Sequence, residues 1–173
     1  MATTLNLISK QTVGSAGASS ITFSNIPQTY TDLYVLLSAR NSANVSGQPF
    51  GGASIQFNGT TTNYSSRVLY GYGSGLGGAS YTDERSLWGY ITSQQSTAST
   101  FSNTSFYIPN YTSSNYKSVS IDSVNENNAT SANMELDAFL WANTSIISSI
   151  NVVPRTGNFV QYSTAYLYGI KNS

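Results

Sequence analysis

Hydrophobic and polar residues alternate with a period of two along most of this 173-residue chain. The clearest run is Asp32 to Arg40, in which Leu33, Val35, Leu37 and Ala39 share one side, while Tyr34 and Leu36 lie on the other. A period of two places successive side chains on opposite faces of a β-strand, so this run predicts an inner strand covered on both faces. Helical periodicity is not sustained over ten residues anywhere in the chain.

Similar runs predict about ten short strands separated by turn residues. Asn58-Gly59 predicts a tight hairpin, because both residues tolerate positive φ. The Gly-rich segment from Gly73 to Arg85 predicts a long loop with a function of its own. The pattern indicates an all-β, single-domain antiparallel β-sandwich over residues 1–173, jelly-roll-like in form. The other predicted strands are Thr4 to Val13, Ser19 to Phe23, Ser54 to Phe57, a return strand ending at Tyr72, Ser86 to Thr92, Thr100 to Ile108, Lys117 to Val124, Asn133 to Trp141, Ile147 to Val153 and Ser163 to Ile170.

The segment from Asn133 to Ile147 suits a helix by composition about as well as a strand. Met134, Leu136, Ala138 and Leu140 alternate strictly, which favours the strand. Glu135 and Asp137 then share the opposite face, about 7 Å apart by strand rise. A carboxylate dyad is geometrically possible there, but we expect this face to meet solvent or a neighbouring subunit.

Composition narrows the chemistry further. The chain has no histidine and no cysteine, so it cannot form a Ser-His-Asp triad, use a thiol nucleophile or build a Cys/His zinc site. Only 8% of residues are charged, and seven basic and seven acidic residues cancel. Scattered bases do not favour nucleic acid as a partner, since phosphate binding needs clustered Lys and Arg. We therefore expect no enzyme activity, no cofactor and no bound metal.

Two local motifs match known sites only in part. The glycines from Gly73 to Gly78 satisfy G-x-G-x-x-G, but no helical pattern follows them, so a loop is the better interpretation. The segment from Asp122 to Asn128 offers oxygen ligands without calcium-loop spacing, which favours a polar hairpin turn. No apolar stretch is long enough to cross a membrane, and Met1 to Lys10 lacks the features of a signal peptide. With no cysteine, the chain suits assembly in a reducing cytoplasm.

Tyrosine is the most informative residue type, with 13 copies. Tyrosine and tryptophan offer large, stiff contact surfaces that stack on sugar rings or anchor a partner protein. The alternative is that most of them pack in the sandwich core and along its edges. The candidate binding surface around the Gly-rich segment comprises Tyr70, Tyr72, Tyr81, Arg85, Trp88 and Tyr90.

Several phrases of the sequence resemble small virion-associated proteins of tailed bacteriophages. They are Ile26 to Leu33, Phe57 to Arg67, Tyr107 to Tyr111 and Asn158 to Lys171. The resemblance spans nearly the whole chain, and it implies an exposed, usually oligomeric jelly-roll module located in the virion, on the capsid or the tail.

On this basis we expect a capsid decoration (cement) protein, a homotrimer that docks on the major capsid protein or other virion proteins after assembly in the host cytoplasm. The alternative is a tail-associated receptor-binding module that recognises a host surface glycan. An enzyme such as a depolymerase is the third and weakest hypothesis, given the missing histidine and the sparse carboxylates.

Overall fold

A computed structural model describes residues 5–44, 50–84, 87–128 and 132–171, with only the backbone described at residues 83, 84, 87 and 88. This described part is all-β and contains no helix. Its twelve strands are β1 (Leu5–Thr12), β2 (Ile21–Phe23), β3 (Asp32–Ala39), β4 (Phe50–Phe57), β5 (Tyr64–Tyr72), β6 (Gly75–Glu84), β7 (Leu87–Thr92), β8 (Ser102–Ile108), β9 (Lys117–Asn125), β10 (Asn133–Trp141), β11 (Ile150–Pro154) and β12 (Thr164–Ile170).

The strands form two antiparallel sheets that pack together, which confirms the predicted sandwich. The large sheet has eight strands in the order β1-β12-β3-β8-β9-β10-β5-β6, and the small sheet has four in the order β2-β11-β4-β7. The hydrophobic core lies between the sheets. Its largest fully buried apolar and aromatic side chains are Trp141, Tyr64, Tyr111, Phe57, Phe106, Phe139, Phe159, Leu33, Leu37 and Ile55.

Strand β3 shows how the alternating pattern builds this core. Leu33, Val35, Leu37 and Ala39 are all buried on its inner face, as predicted. Tyr34 and Leu36 on the outer face are partly covered. β3 lies between β12 and β8, in the interior of the large sheet, so its central residues pair on both sides.

The strand pairs are nested along the sequence, so that each inner pair lies between the two strands of an outer pair. β2 pairs with β11 and β4 pairs with β7 in the small sheet, whereas β5 pairs with β6 and β3 pairs with β8 in the large sheet. The β9–β10 hairpin lies between β8 and β5, and β12 and β1 extend the opposite side of the large sheet. The jelly-roll form of the sandwich stays a prediction.

The predicted loop from Gly73 to Arg85 is wrong in its main part. Strand β6 occupies Gly75–Glu84 and pairs with β5 through a tight turn, in which Gly73 has a positive φ of 54°. Glycines fit this strand because a neighbouring ring takes the space of a side chain: a Cβ on Gly77 would lie 2.6 Å from the ring of Tyr70. The G-x-G-x-x-G match therefore spans a turn and a strand. Arg85 lies outside the described residues.

The predicted turn at Asn58-Gly59 forms, but the predicted hairpin does not. Both residues have positive φ (51° and 70°), and the Thr60 N–H donates to the Phe57 carbonyl over 2.9 Å. The strands before and after the turn belong to different sheets, because β4 pairs with β7 and β11 while β5 pairs with β10 and β6. Phe57 and Tyr64 are both buried in the core, so the chain crosses between the layers here.

Candidate functional site

Strand β10 forms as predicted, but its two faces are the reverse of the expectation. Glu135 and Asp137 point into the sandwich, with 4% and 2% of their surface exposed. Met134 and Leu136 point outward and are each 62% exposed. The expectation that the acidic face meets solvent or a neighbouring subunit is therefore wrong. The inversion buries two carboxyl groups and exposes two large apolar side chains.

The buried acidic face holds the edge of the small sheet against the large one. Strand β7 ends the small sheet, and its Tyr90 N–H donates to Glu135 Oε2 over 2.9 Å. The Tyr90 carbonyl accepts bonds from the hydroxyls of Thr104 and Ser123, at 3.3 and 2.5 Å. Gly89 permits this approach, since a Cβ there would lie 3.0 Å from Thr104 Cγ2. Polar side chains of the large sheet thus take the place of a missing neighbouring strand.

Burial also changes the proton affinity of these two acids. The pKa of Glu135 is raised to about 8, chiefly by desolvation and then by the charge of Asp137, while the Tyr90 N–H and Arg155 oppose the rise. Desolvation raises the pKa of Asp137 to about 7. Within the described residues, both oxygens of Asp137 lack a hydrogen-bond partner. Both carboxyl groups therefore lie inside the sandwich, and of the two only Glu135 has a hydrogen-bond partner among the described residues.

The outward side of β5, β6, β9 and β10 forms a continuous apolar surface, here called the outer apolar face. Leu136 lies directly opposite Leu69, Met134 lies opposite Val124, and Leu76 lies opposite Gly71. The five large residues of this face are 45–92% exposed: Leu69, Leu76, Val124, Met134 and Leu136. Soluble monomers rarely leave a large contiguous apolar patch uncovered.

The outer apolar face is grooved rather than flat. One depression of about 740 Å³ runs past Leu69 and Leu136 toward Arg67, and a second of about 550 Å³ lies between Leu69, Leu76 and Met134. Gly71 lines the second depression between Met134 and Leu76, and the lack of a side chain there lowers the surface. Grooves between large apolar side chains are suited to side chains of a partner protein.

Four of the predicted binding residues come together at the edge of the small sheet. Tyr70, Tyr72 and Tyr81 on β5 and β6 are 37–39% exposed, and Tyr90 of β7 is half-buried beside them. Phe50 joins the group, with its ring centroid 5.3 Å from Tyr72 and 4.4 Å from Tyr90. These five residues are here called the tyrosine cluster. Only the backbone of Trp88 is described, and Arg85 falls outside the described residues.

Electrostatic effects on Tyr90 show how close the neighbouring groups lie. The pKa of Tyr90 is raised to about 12, chiefly by burial and then by the charges of Glu135 and Tyr81, while Arg155 opposes the rise. Arg155 reaches this place across Gly52, where a Cβ would lie 2.6 Å from its Cδ. Sequence reasoning missed Phe50 and Arg155. The Gly51-Gly52 pair beside Phe50 was the available signal for a close approach at this point.

The described residues lack a metal-binding cluster and a membrane-spanning helix. No group of three or more Asp and Glu side chains there could hold a metal ion. Asp122 belongs to β9, which continues to Asn125, so the polar turn predicted from Asp122 to Asn128 begins later than expected. No helix capable of spanning a membrane is found among the described residues.

Comparison with protein-family models, curated proteins and solved structures found no match to this chain.

Proposed function

We propose that this protein is a structural component of a bacteriophage particle that docks on a larger protein surface without catalysing a reaction. Its role corresponds to that of a capsid decoration protein on the major capsid protein. The outer apolar face is the observation that carries this proposal. The proposed virion location is supported by the sequence phrases that resemble tailed-phage virion proteins.

The energetics of the outer apolar face fit permanent docking. Leu69, Leu76 and Leu136 are each more than 60% exposed in the isolated chain, so each still has most of its surface to bury. Full burial of one leucine side chain contributes roughly 1.5–3 kcal/mol. Contact through several such residues, together with the two grooves, supplies affinity without ion pairs.

Charge supports the same proposal. Two charged side chains of the described large-sheet strands border the outer apolar face. They are Arg67 and Asp122, and their charges cancel. The whole chain carries a formal net charge of zero. Attachment through such a surface is expected to respond little to salt, because screening acts on charges.

The nested strand pairing is consistent with a jelly roll. In such a fold, successive strands alternate between two sheets and pair from the outside inward, as β2 with β11, β3 with β8 and β4 with β7 do here. On this interpretation β9 and β10 are an added hairpin. Because that hairpin carries Val124, Met134 and Leu136, the addition supplies most of the outer apolar face.

Reconstitution on particles that lack the protein tests this function. Purified chain is mixed with such particles, the particles are sedimented, and bound protein is measured at low and high NaCl concentrations. We expect binding to change by less than about twofold with salt. We expect Leu136→Ser to weaken binding about 30-fold, from the loss of about 2 kcal/mol of apolar contact.

Leu7→Ser is the matched control for this experiment. Leu7 lies in β1, at the opposite side of the large sheet, and is 56% exposed, close to the 62% of Leu136. Its replacement should leave binding unchanged. Release of most copies by moderate salt, or equal effects of the two substitutions, would contradict the proposal.

The tyrosine cluster favours a second candidate function, the recognition of a host surface glycan by a tail-associated module. Three partly exposed tyrosine rings stand beside Arg155 and the buried Glu135. Sugars bind through stacking on aromatic faces combined with hydrogen bonds from polar groups. This candidate uses a different surface from docking, so the two functions can be separated by substitution.

A glycan array probed with a multivalent form of the chain tests this candidate. We expect Tyr72→Ala to abolish a positive signal, while Tyr162→Ala, at a 69% exposed tyrosine outside the cluster, should not. The absence of binding to any glycan in multivalent form would refute it. Copy number also separates the functions, because decoration requires many copies per particle and a tail fibre only a few.

A further inference from the structure

The exposed edges of the two sheets are protected to different degrees. Unpaired edge strands can pair with other chains, and proteins normally block them with short strands, bulges, lysines or covering side chains. β1 carries Lys10 and a register shift between Leu7 and Ser9. β2 is only three residues long. Both edges are therefore poor templates for pairing.

The edge at β7 is protected by side chains. Glu135, Thr104 and Ser123 bond to the main-chain N–H and C=O of Tyr90, on the side away from β4. A further strand could not pair at this place without displacing these bonds. Three of the four edges thus carry a visible protective feature.

Strand β6 is the exception. It is ten residues long and contains no proline, and its first eight residues, Gly75 to Thr82, are uncharged, while the acidic Asp83 and Glu84 end the strand. Within the described residues, no strand pairs with its outer edge. Leu76 on this strand is 92% exposed, the most exposed of the large apolar side chains described. A long, neutral and apolar edge is the kind that pairs with another chain.

We propose that β6 pairs with β6 of a second copy of this chain, antiparallel and across a two-fold axis. A neutral segment paired with itself brings no like charges together. The small residues Gly77, Gly78 and Ala79 let the two strands approach closely. The large sheets of the two copies then become continuous, and their outer apolar faces lie side by side on the same surface.

This inference does not rest on the proposed function, because it concerns self-association of the isolated chain. The interface is isologous, so it produces dimers rather than the trimer expected from the resemblance. A trimer would require a different pairing, for example β6 of each copy with β1 of the next. Lys10 and the irregular register of β1 oppose that arrangement.

Analytical ultracentrifugation of the full chain at micromolar concentrations tests the proposal, with Ser80→Glu as the variant. Ser80 is exposed and lies opposite Arg67, so the new carboxylate gains an ion-pair partner within its own sheet. In the dimer, two new like charges are brought together, and we expect dimerisation to weaken by at least about tenfold. Gln11→Glu on β1 is the matched control and should leave the dimer intact.

A second readout uses the natural absence of cysteine, which makes a single introduced thiol unique. Pyrene attached to Ser80→Cys should give excimer emission in the wild-type background, whereas pyrene on Gln11→Cys should not. A monomeric or trimeric wild-type chain would overturn the proposal. Excimer emission that appears only when pyrene-labelled Ser80→Cys and pyrene-labelled Gln11→Cys are mixed would also overturn it. A dimer whose affinity is unchanged by Ser80→Glu would overturn it as well.

Discussion

The buried carboxyl group of Asp137 should make the stability of this protein depend on pH. The side chain is 2% exposed, and burial raises its pKa from 3.8 to about 7. Its direct neighbours in the sheet, Val68 and Ile121, are uncharged. Glu135 is the acidic neighbour on the same strand, and it in turn faces Tyr90 and Arg155.

The direction of the effect follows from proton binding in the two states. Between pH 5 and pH 7 the folded chain keeps the Asp137 proton, whereas the unfolded chain has released it, so raising the pH favours unfolding. At up to 1.36 kcal/mol per pH unit, this one group lowers the free energy of unfolding by about 2 kcal/mol over that interval, because the folded group itself begins to ionise near pH 7. Glu135, with a pKa of about 8, acts in the same direction. The Asp137 contribution stops growing above about pH 7.

Asp137→Asn removes the titrating group at nearly constant shape. At pH 5 the variant should already be more stable than wild type by about 2 kcal/mol, because the unfolded wild-type chain has released the Asp137 proton that the folded chain still holds. At pH 8 the difference should reach about 4 kcal/mol, since the shift from 3.8 to about 7 is then fully expressed. Urea unfolding followed by circular dichroism at pH 5, 6, 7 and 8 measures both values.

Asp122→Asn is the control, because Asp122 lies on the exposed side of the adjacent strand and accepts a hydrogen bond from Ser105. Its free energy of unfolding should stay within about 0.5 kcal/mol of wild type. A wild-type stability that is flat or rises from pH 5 to pH 7 would refute the reasoning. An Asp137→Asn variant that keeps the full wild-type pH dependence would refute it as well.

Two further substitutions test how the sandwich is held together. Lys117 is 1% exposed, and its Nζ donates to the carbonyls of Ser113, Asn115 and Ser145. Lys117→Met should therefore lower the free energy of unfolding by about 2 kcal/mol in urea titrations. An unchanged unfolding midpoint would contradict the structural role of this ammonium group. Gly89→Ala places a methyl group 3.0 Å from Thr104 Cγ2 and should cost about 1–3 kcal/mol in the same titration, and a gain in stability would show that β7 does not lie this close to the large sheet.

The alternation of apolar residues was enough to predict the fold class and most strands, because a period of two is a local property of the backbone. It could not determine which face of β10 is buried. Met134 and Leu136 satisfy the apolar pattern on one face, but Phe139 and Trp141 share the other face with Glu135 and are buried in the core. Inside the sandwich, the Tyr90 N–H of β7 gives Glu135 a hydrogen-bond partner. Burial of an acid depends on a partner 45 residues away in sequence.

The errors at the two glycine-containing segments have a similar origin. Asn58-Gly59 fixes a local turn, but a turn alone does not make β4 and β5 pair with each other. Phe57 and Tyr64 pack together in the core, and the two strands belong to different sheets. Gly77 weakens a strand by propensity alone, yet the ring of Tyr70 covers it across the strand pair. Tyr70, Tyr72, Tyr81 and Tyr90 lie together because they belong to one hairpin and the strand that follows it, and their role in binding stays a prediction.

A reconstruction of the intact particle by electron cryomicroscopy tests the central claim most directly. We expect density for the sandwich in many copies, with Leu69, Met134 and Leu136 against the underlying protein shell. A sandwich whose outer apolar face points into solvent, or a particle without density for this chain, would contradict the account.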